Sequence, residues 1–394
     1  MGLPRHTFME FFAGGGMARL GLGPNWTCVF ANDSCPRKAR VYRANFGPAH
    51  FVEGDIADLS AKDLPRGRVD LAWASFPCQD LSFAGARMGL NAPRSGTFFA
   101  FVGLLKELAA VGRLPRVVAL ENVPGLLTSS GGQDFISVTQ EMADLGYYMT
   151  ADTIDARAFL PQSRKRLFLM AIAEDCIPKE KSLVSAIHKP NKSRLQRTID
   201  QLPDDVKLRW FWPNTAQVKL LPPLSLDEVI SSSGPWQDAA TTNQLLSRLS
   251  TAHRQALISL QNEGMRRVLT GFQRIRGTGS AKTTFFELRF DGLAGCLRTP
   301  AGGSSRQFVV VVDGPVIRTR LMSAREAARL MGLPDTYRLD LAATPALRLC
   351  GDGVCVPVVR ALAQALIEPA LAGEQQILNE SRAAEGAVKI KAIC

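Results

Sequence analysis

Short apolar segments alternate with helical segments over residues 6–173, and polar or glycine residues follow the apolar segments. This pattern predicts strands in residues 6–12, 26–34, 50–56, 68–74, 115–122 and 164–173. Strands that are separated by helices pair in parallel, since a parallel pair needs a crossover connection. The alternation therefore predicts an α/β fold with a parallel sheet, whose ligands bind beyond the carboxyl ends of the strands.

The alternation of strand and helix stops near residue 178, where basic residues and turn formers become frequent. A short helix is predicted near residues 323–332, where a proline follows it. The expected divisions are a first domain (1–178, completed by 345–373), a smaller irregular domain (179–344) and a tail (374–394).

Composition limits the partners of the chain. The formal net charge of +11 and the isoelectric point near 9.5 favour a polyanionic partner such as nucleic acid, although an ordinary basic protein has the same balance. Eight cysteines without C-x-x-C spacing and four histidines without a metal-binding pattern predict neither a disulfide framework nor a metal site. The chain has no evident secretory signal or long apolar run, which predicts a cytoplasmic protein without a membrane span.

Three features at the ends of successive strands describe a nucleoside pocket. Gly14, Gly15 and Gly16 follow the first strand and would let the backbone approach a cofactor, although a simple tight turn has the same pattern. Asp33, at the end of the second strand, is placed to hold a ribose diol. Asp55, at the end of the third strand, could accept a hydrogen bond from an adenine amino group.

Two further strand ends carry candidate catalytic groups. Cys78 follows a proline at the end of the fourth strand, where a thiol is either a core residue or a nucleophile. Glu121 ends the fifth strand and is either a catalytic acid or a structural carboxylate. Gln162, Arg164 and Arg166 alternate at the start of the next strand, so we expect them to share one face, as surface residues or as ligands of a phosphate or a base.

Together these motifs resemble the DNA (cytosine-5)-methyltransferases of bacterial restriction-modification systems, whose motifs occur in the same order. The resemblance covers roughly residues 7–172 and 317–368. It implies a class I S-adenosylmethionine-dependent methyltransferase with a Rossmann-like sheet, and it identifies the smaller irregular domain as a target-recognition domain. The matching segments are "FFAGGGMARLGL", "NDSCPRKARVYRANF", "GDI", "SFPCQDLSFAG", "RSGTFFAF", "ALENVPGLL", "QSRKRLFLMAI", "LMSAREAARLMGLPDTY" and "GDGVCVPVV".

The resemblance implies a covalent mechanism on a cytosine that is flipped out of the DNA duplex. Cys78 as thiolate would add to C6 of the base, which activates C5 towards methyl transfer. Glu121 would hydrogen-bond or protonate N3 and bind the exocyclic amine. Arg166, together with Arg164, would hold the base carbonyl oxygen and the nearby backbone. Gln79 lies at the start of a segment that resembles the family's loop over the flipped base.

The resemblance also implies the cofactor and the residues that contact it. S-adenosyl-L-methionine would be held by Phe12, Gly14, Gly16, Asp33, Asp55, Ile56, Pro77, Phe98 and Asp352. Two positions depart from the family, since Ser34 stands where some members have an aromatic residue and Asp352 stands where many have asparagine. Candidate DNA contacts are Gln79, Arg298, Arg306 and Gln307.

Other functions remain open on the sequence. A transfer-RNA cytosine-5 methyltransferase of the same fold, a catalytically inactive DNA-binding relative and a nucleotide-dependent oxidoreductase are the alternatives. The "PCQDLSFAG" segment and the long region after residue 178 favour DNA, and the consecutive glycines disfavour the oxidoreductase. The expected partner is double-stranded DNA, with a cognate restriction endonuclease acting on the same site without a stable complex, and the chain is expected to be a monomer.

Overall fold

The computed structural model describes residues 6–77, 96–177, 194–212, 224–277, 282–297 and 306–372. Its larger sheet contains the predicted strands and one more. These strands are β1 (His6–Phe11), β2 (Trp26–Asp33), β3 (Phe51–Glu53), β4 (Leu71–Ala74), β5 (Val117–Asn122), β6 (Tyr148–Asp155) and β7 (Lys165–Ile172). They lie in the order β3-β2-β1-β4-β5-β7-β6, so the chain changes direction across the sheet between β1 and β4.

Strands β1 to β5 pair in parallel, which confirms the predicted α/β class. Strand β7, however, is antiparallel to both β5 and β6. The expectation of a wholly parallel sheet is therefore wrong at this edge. Residues 156–164, which join β6 to β7, are too few for a parallel crossover, because such a connection takes about a dozen residues or more.

Helices cover both faces of the larger sheet. Met17 packs with Phe8 on one face, whereas Phe101 packs with Met9 on the other. Phe8 and Met9 are successive residues of β1, and successive side chains of a strand point to opposite faces. The described helices are α1 (Met17–Leu22), α2 (Pro36–Phe46), α3 (Gly96–Ala110), α4 (Gln133–Asp144), α5 (Arg194–Ile199), α6 (Asp204–Leu208), α7 (Leu226–Val229), α8 (Ala239–Leu246), α9 (Thr251–Glu263), α10 (Ala324–Arg329), α11 (Ala343–Asp352) and α12 (Val356–Leu362).

A second, four-stranded sheet lies within the predicted irregular domain. Its strands are β8 (Arg267–Arg276), β9 (Thr283–Arg289), β10 (Gln307–Asp313) and β11 (Val316–Leu321), in the order β11-β10-β8-β9. All of its pairs are antiparallel. Leu245 of α8 and Leu257 of α9 pack on this sheet against Leu269 and Phe286, which gives the region a small core of its own.

The packing differs from the predicted domain limits of residues 179–344. Ile199 and Val206, on α5 and α6, are buried in the core of the larger sheet. Leu330 and Met331, which follow α10, pack in a core cluster that contains residues of both sheets, such as Phe8 and Val309. These contacts cross the predicted limits, and the division into domains stays a prediction.

Among the residues that the structure describes, one helical stretch, Ala343–Ala372, is long and apolar enough to cross a membrane, with a mean hydropathy of 1.5 over an 18-residue window. Length and composition alone are weak evidence for a membrane span, because a buried core helix has the same properties. Residues 353–355 interrupt the stretch between α11 and α12, and Val358 and Val359 of α12 are buried in the protein core. Within this stretch α12 packs against α1 and α11 packs against α10.

Candidate active site

The turn between β1 and α1 follows a left-handed backbone path. The φ angle is 56° at Phe12, 56° at Gly14 and 77° at Gly16. Glycine adopts such angles without steric cost, whereas a phenylalanine held there stores about 1 to 3 kcal/mol. Strain of this kind is typical of ligand-binding turns. The structure thus brings Phe12 and the two glycines to the carboxyl end of β1, where the sequence predicts the cofactor.

Asp33 holds this turn in place. Its Oδ2 accepts a hydrogen bond from the backbone N–H of Gly14 at 2.8 Å, and its Oδ1 accepts one from Cys35 at 2.8 Å. The side chain is buried, with a relative exposure of 7%. A carboxylate has about four lone-pair sites, so two remain for a ligand. Asp33 therefore shapes the turn and can still accept bonds from a ribose diol.

Asp55 and Ile56 lie at the end of the neighbouring strand, β3. The exposed Asp55 accepts a hydrogen bond from the backbone N–H of Ala57 at 3.0 Å, and Ile56 is buried. The amide of Asn32 donates to the carbonyl of Gly54 at 3.0 Å, which ties the ends of β2 and β3 together. The predicted ribose and adenine positions are therefore adjacent.

Asp352 comes close to this turn from the far end of the chain. Its Oδ2 lies 3.0 Å from Nζ of Lys38 on α2. Burial lowers the pKa of Lys38, but the carboxylates of Asp352 and Asp33 outweigh burial and raise it overall. Nothing in the sequence around Lys38 indicates this pairing, because only the fold brings α2 and α11 together.

Tyr337 fixes the opposite side of the glycine turn. Its hydroxyl donates a hydrogen bond of 2.6 Å to the carbonyl of Gly15, and a Cβ atom on Gly15 would clash with that hydroxyl. Tyr337 belongs to the last family-like segment before α11, yet nothing near it in the sequence indicates its partner. The turn is therefore held by Asp33 on one side and by Tyr337 on the other.

Glu10, in the middle of the predicted first strand, is a buried acid that the sequence analysis also missed. Its side chain has a relative exposure of 2%. Burial raises its pKa to about 8, although the charge of Arg19 and the N–H groups at the start of α1 oppose this. The carboxyl group of Glu10 thus lies against the first turn of α1, the helix that follows the glycine turn.

The end of β4 leads towards the predicted nucleophile. Cys78 and Gln79 lie outside the described residues, and Pro77 is the last described residue before them. The amide of Asn122 donates to the carbonyl of Phe76 at 3.4 Å, which links the ends of β5 and β4. Phe98, predicted to line the cofactor site, is fully buried against Phe76 at 5.1 Å between ring centres, so it supports this segment from behind.

Glu121 and Arg166 form an ion pair at the end of β5. Nε of Arg166 lies 3.1 Å from Oε1 of Glu121, and the two side chains are 15% and 8% exposed. The pair results from the antiparallel register of β5 and β7, in which Glu121 lies opposite Phe168. The structure therefore brings together two of the predicted catalytic residues.

Arg164 lies near Arg166 and Glu121, whose charges act on its guanidinium, but its terminal nitrogens bond to other segments. Its side chain is 2% exposed, and one guanidinium nitrogen donates to the carbonyls of Gly351 at 2.9 Å and Gly353 at 2.6 Å. The other terminal nitrogen donates to the carbonyl of Leu297 at 3.2 Å. These bonds engage both terminal nitrogens of Arg164, and its expected contact with the base stays a prediction.

Arg306 and Gln307, two of the four candidate DNA contacts, lie at the start of β10 in the second sheet. Arg298 is outside the described residues, whereas Arg306 is partly exposed. Gln307 begins β10 and is buried with a relative exposure of 9%, beside Gly295. Nε of Arg306 and Oε1 of Gln307 have no hydrogen-bond partner among the described residues. These two side chains remain candidate contacts.

Comparisons with known proteins agree with this architecture. The family model for C-5 cytosine-specific DNA methylase matches residues 6–368. The type II methyltransferase M.BsuFI of Bacillus subtilis is 27% identical over 376 residues, covering 95% of this chain and 75% of that protein. The type II methyltransferase M.HhaI of Haemophilus parahaemolyticus is 26% identical over 359 residues, covering 90% and 92%.

Solved structures share the fold. The Dnmt2 methyltransferase of S. pombe has a TM-score of 0.56 and 18% identity, with 93% of this chain and 99% of that chain covered. The Entamoeba histolytica methyltransferase EhMeth has a TM-score of 0.59 and 14% identity, with 94% and 99% covered. The class I methyltransferase fold is thereby confirmed. The family match over residues 6–368 establishes that this chain belongs to the C-5 cytosine-specific DNA methylases.

Proposed function

We propose that this enzyme transfers a methyl group from S-adenosyl-L-methionine to C5 of a flipped-out cytosine in a specific sequence of duplex DNA. The observation that carries the proposal is the buried ion pair of Glu121 and Arg166. Glu121 lies at the carboxyl end of β5, on the same side of the sheet as the glycine turn after β1. An acid and a guanidinium at that edge suit a base that needs both a donor and an acceptor. Ligands of open α/β sheets bind at this edge.

The residues at the glycine turn fit the proposed cofactor. The left-handed Gly14 and Gly16 leave the backbone open to close approach, and Asp33 has lone pairs left for two ribose hydroxyls. Asp55 and Ile56 would contact the adenine from β3. S-adenosyl-L-methionine supplies an electrophilic methyl group when it is bound. Pro77, Phe12 and Asp352 would border the rest of the cofactor. Phe98 would act indirectly, because it packs against Phe76, next to Pro77.

The proposed chemistry begins at Cys78. Its thiolate would form a bond to C6 of the cytosine, which makes C5 nucleophilic. The cofactor held at the glycine turn would supply the methyl group that C5 takes. The proton on C5 leaves to a base or to water, and the C6–S bond breaks to return the thiolate of Cys78. Attack at C6 is impossible within a stacked duplex, so the base must first leave the helix.

Glu121 and Arg166 would divide the recognition of the flipped base between them. Glu121 would hydrogen-bond or protonate N3 and accept a bond from the exocyclic amine. Arg166 would hold Glu121 and donate to the base carbonyl oxygen, as a fork-shaped donor can. Both groups are fixed by neighbouring strands before DNA binds, which favours stabilisation of the charge that develops on the ring.

The DNA itself would be read by the region around the second sheet. Arg298, Arg306 and Gln307 are the candidate contacts there, and Gln79 lies next to the proposed nucleophile. A net charge of +11 favours association with the phosphate backbone. We propose that the enzyme acts as a monomer in the bacterial cytoplasm, on a site shared with a separate restriction endonuclease.

A transfer-RNA substrate has less support. The family model that matches residues 6–368 is one for DNA methylases, and the relatives cited above are type II methyltransferases. The structural likeness to S. pombe Dnmt2, at 18% identity, bears on the fold alone.

A methyl-transfer assay tests the proposed reaction. Purified protein with tritium-labelled S-adenosyl-L-methionine should label duplex DNA at C5 of cytosine and should leave RNA unlabelled. Cys78→Ser should abolish the labelling, and a duplex with 5-fluorocytosine at the target should trap a covalent adduct. Bisulfite sequencing of DNA from expressing cells would identify the target sequence. Label in RNA alone, or undiminished activity of Cys78→Ser, would overturn the proposal.

A further inference from the structure

Residues 161–164, which directly precede β7, are a meeting point of distant segments. The carbonyl of Pro161 accepts a hydrogen bond from the N–H of Ala294 at 2.7 Å, and the N–H of Ser163 donates to the carbonyl of Ala294 at 2.9 Å. The fully buried Gln162 donates to the carbonyl of Leu330 at 2.6 Å. This short stretch is thus bonded to Ala294, which follows β9 of the second sheet, and to Leu330, which follows α10.

Arg164 extends this junction with a single buried guanidinium. One terminal nitrogen donates to Leu297, within residues 294–297, which we call the recognition-side segment because the candidate contact Arg298 follows it. The other terminal nitrogen donates to Gly351 and Gly353, within residues 351–353, which we call the cofactor-side segment. In the recognition-side segment the nitrogen that bonds to Leu297 also lies 3.7 Å from Sγ of Cys296, while the acceptors in the cofactor-side segment are backbone carbonyls.

Each segment leads directly to a part of the proposed active site. In the cofactor-side segment, Asp352 pairs with Lys38, whose charge interacts with Asp33 at the glycine turn. Two residues after Arg164, Arg166 pairs with Glu121. One guanidinium therefore lies between the recognition-side segment, the cofactor-side segment and the proposed catalytic acid.

We propose that Arg164 is a positioning residue, which holds the recognition-side segment and the cofactor-side segment at fixed positions relative to the pair of Glu121 and Arg166. This inference rests on the proposed function and refines it, because it removes Arg164 from contact with the base. Binding of DNA and binding of cofactor then both depend on Arg164, while the chemistry at the base depends on Arg166.

The geometry requires arginine at this position. A guanidinium presents donors in a fixed plane and reaches carbonyls on two sides at once, whereas an ammonium is a single point of charge. Lysine at position 164 would keep a positive charge but could not bridge both segments. A purely electrostatic role would survive that substitution, and a bridging role would not.

Steady-state kinetics separate the two arginines. Arg164→Gln and Arg164→Lys should each raise the KM for DNA and for cofactor by about tenfold or more, which corresponds to the loss of one hydrogen bond to a charged group. The kcat at saturation should fall much less. Arg166→Gln should show the opposite, with a large loss of kcat. Equal losses of kcat in Arg164→Gln and Arg166→Gln would overturn the proposal.

Arg113→Gln is a matched control. Arg113 also donates to backbone carbonyls, those of Ala61 at 3.1 Å and Leu64 at 2.9 Å, but it lies between α3 and the segment before β4. Its loss should lower stability without raising either KM. If Arg113→Gln raised both KM values as much as Arg164→Gln, the effect would be one of general stability and the proposal would fail.

Hydrogen exchange of the ligand-free protein tests the same idea without activity. Arg164→Lys, which keeps the charge, is the variant expected to remain folded if Arg164→Gln does not. Arg164→Lys should increase amide exchange both in the recognition-side segment and in residues 351–356, which include the cofactor-side segment. Arg113→Lys should increase exchange in neither. Exchange that rises in only one segment, or in neither, would refute the positioning role. An inactive wild-type protein would refute the proposed function, and the exchange result would stand apart from it.

Discussion

Nε of Arg166 lies 3.1 Å from Oε1 of Glu121, and this contact joins the ends of two antiparallel strands, β5 and β7. Both side chains are largely buried, so the pair is formed before any substrate binds. A pair that is fixed in advance loses little energy in reorganising when charge develops on a bound base. The antiparallel pairing of β7 with β5 thus places Arg166 where it can hold the candidate acid Glu121.

Removing either member of this pair should slow methyl transfer strongly. Glu121→Gln and Arg166→Gln are each expected to lower kcat by about a hundredfold or more, because each removes a placed proton donor or charge. The double variant should be little slower than the slower single variant, since the two residues act as one unit. Single-turnover transfer of tritiated methyl groups measures these rates.

The control for this experiment is a surface ion pair. Nζ of Lys106 lies 2.8 Å from Oε2 of Glu141, and the lysine side chain is 55% exposed. Glu141→Gln should leave the rate unchanged, because exposed pairs contribute little. Strictly multiplicative losses in the Glu121 and Arg166 variants would contradict a shared role.

Asp33→Asn tests the carboxylate that holds the glycine turn. Asparagine offers one acceptor oxygen where Asp33 uses two, so the N–H of Gly14 or of Cys35 would lose its partner. We expect a loss of about 1 to 3 kcal/mol in stability and at least about tenfold weaker binding of S-adenosylhomocysteine by calorimetry. Asp238→Asn, at the exposed start of α8, should leave that binding unchanged.

Glu10 should make the stability of the protein depend on pH. Its pKa is raised from 4.5 to about 8 in the folded state, so the folded state holds a proton that the unfolded chain releases. The contribution of the neutral carboxyl is complete below about pH 4.5 and is lost as pH rises towards about 8. The cost should approach about 1.4 kcal/mol for each pH unit.

Urea unfolding of Glu10→Gln at several pH values between about 5 and 8 measures this term. The amide mimics the neutral acid, so the variant should lack the loss that the wild type suffers as pH rises. Parallel stability curves for the two proteins would show that Glu10 does not titrate in this range.

A buried ion pair between β11 of the second sheet and α10 should contribute strongly to stability. Both oxygens of Glu326 accept from the guanidinium of Arg320, at 2.6 and 2.8 Å, and the two side chains are almost fully buried. Glu326 also accepts from the backbone N–H groups of Ser231 and Ser323. Glu326→Ala should cost about 3 to 5 kcal/mol, because it leaves Arg320 buried without its counter-charge.

Unfolding in urea checks this expectation. Asp335→Ala is the control, since Asp335 pairs with Arg329 at 2.7 Å but is 63% exposed. A loss from Glu326→Ala no larger than that from Asp335→Ala would contradict the central role of the buried pair.

The sequence allows most of the larger sheet to be predicted, because its buried strands are short apolar runs with polar ends. Strand β6 was not predicted, since it carries the polar residues Thr150, Asp152 and Thr153 and lies at the sheet edge. An edge strand is half exposed, so its composition resembles that of a loop. The antiparallel direction of β7 depends on β6, because the short connection between the two strands allows only an antiparallel pair.

The candidate site divides in the same way. Gly14, Asp33 and Glu121 could be predicted because each follows a recognisable strand. Lys38 could not, because its partner Asp352 is brought to it only by the packing of α11 beside α2.

The sequence by itself determined the alternating α/β pattern, the polar ends of the parallel strands and the family to which the chain is similar. These properties reside in neighbouring residues, whose spacing reports periodicity and strand ends. Only the tertiary structure decided that Arg166 contacts Glu121 while Arg164, two residues earlier, bonds to Leu297, Gly351 and Gly353. The reason is physical, since the direction of a buried guanidinium depends on which carbonyls the rest of the fold brings within its reach.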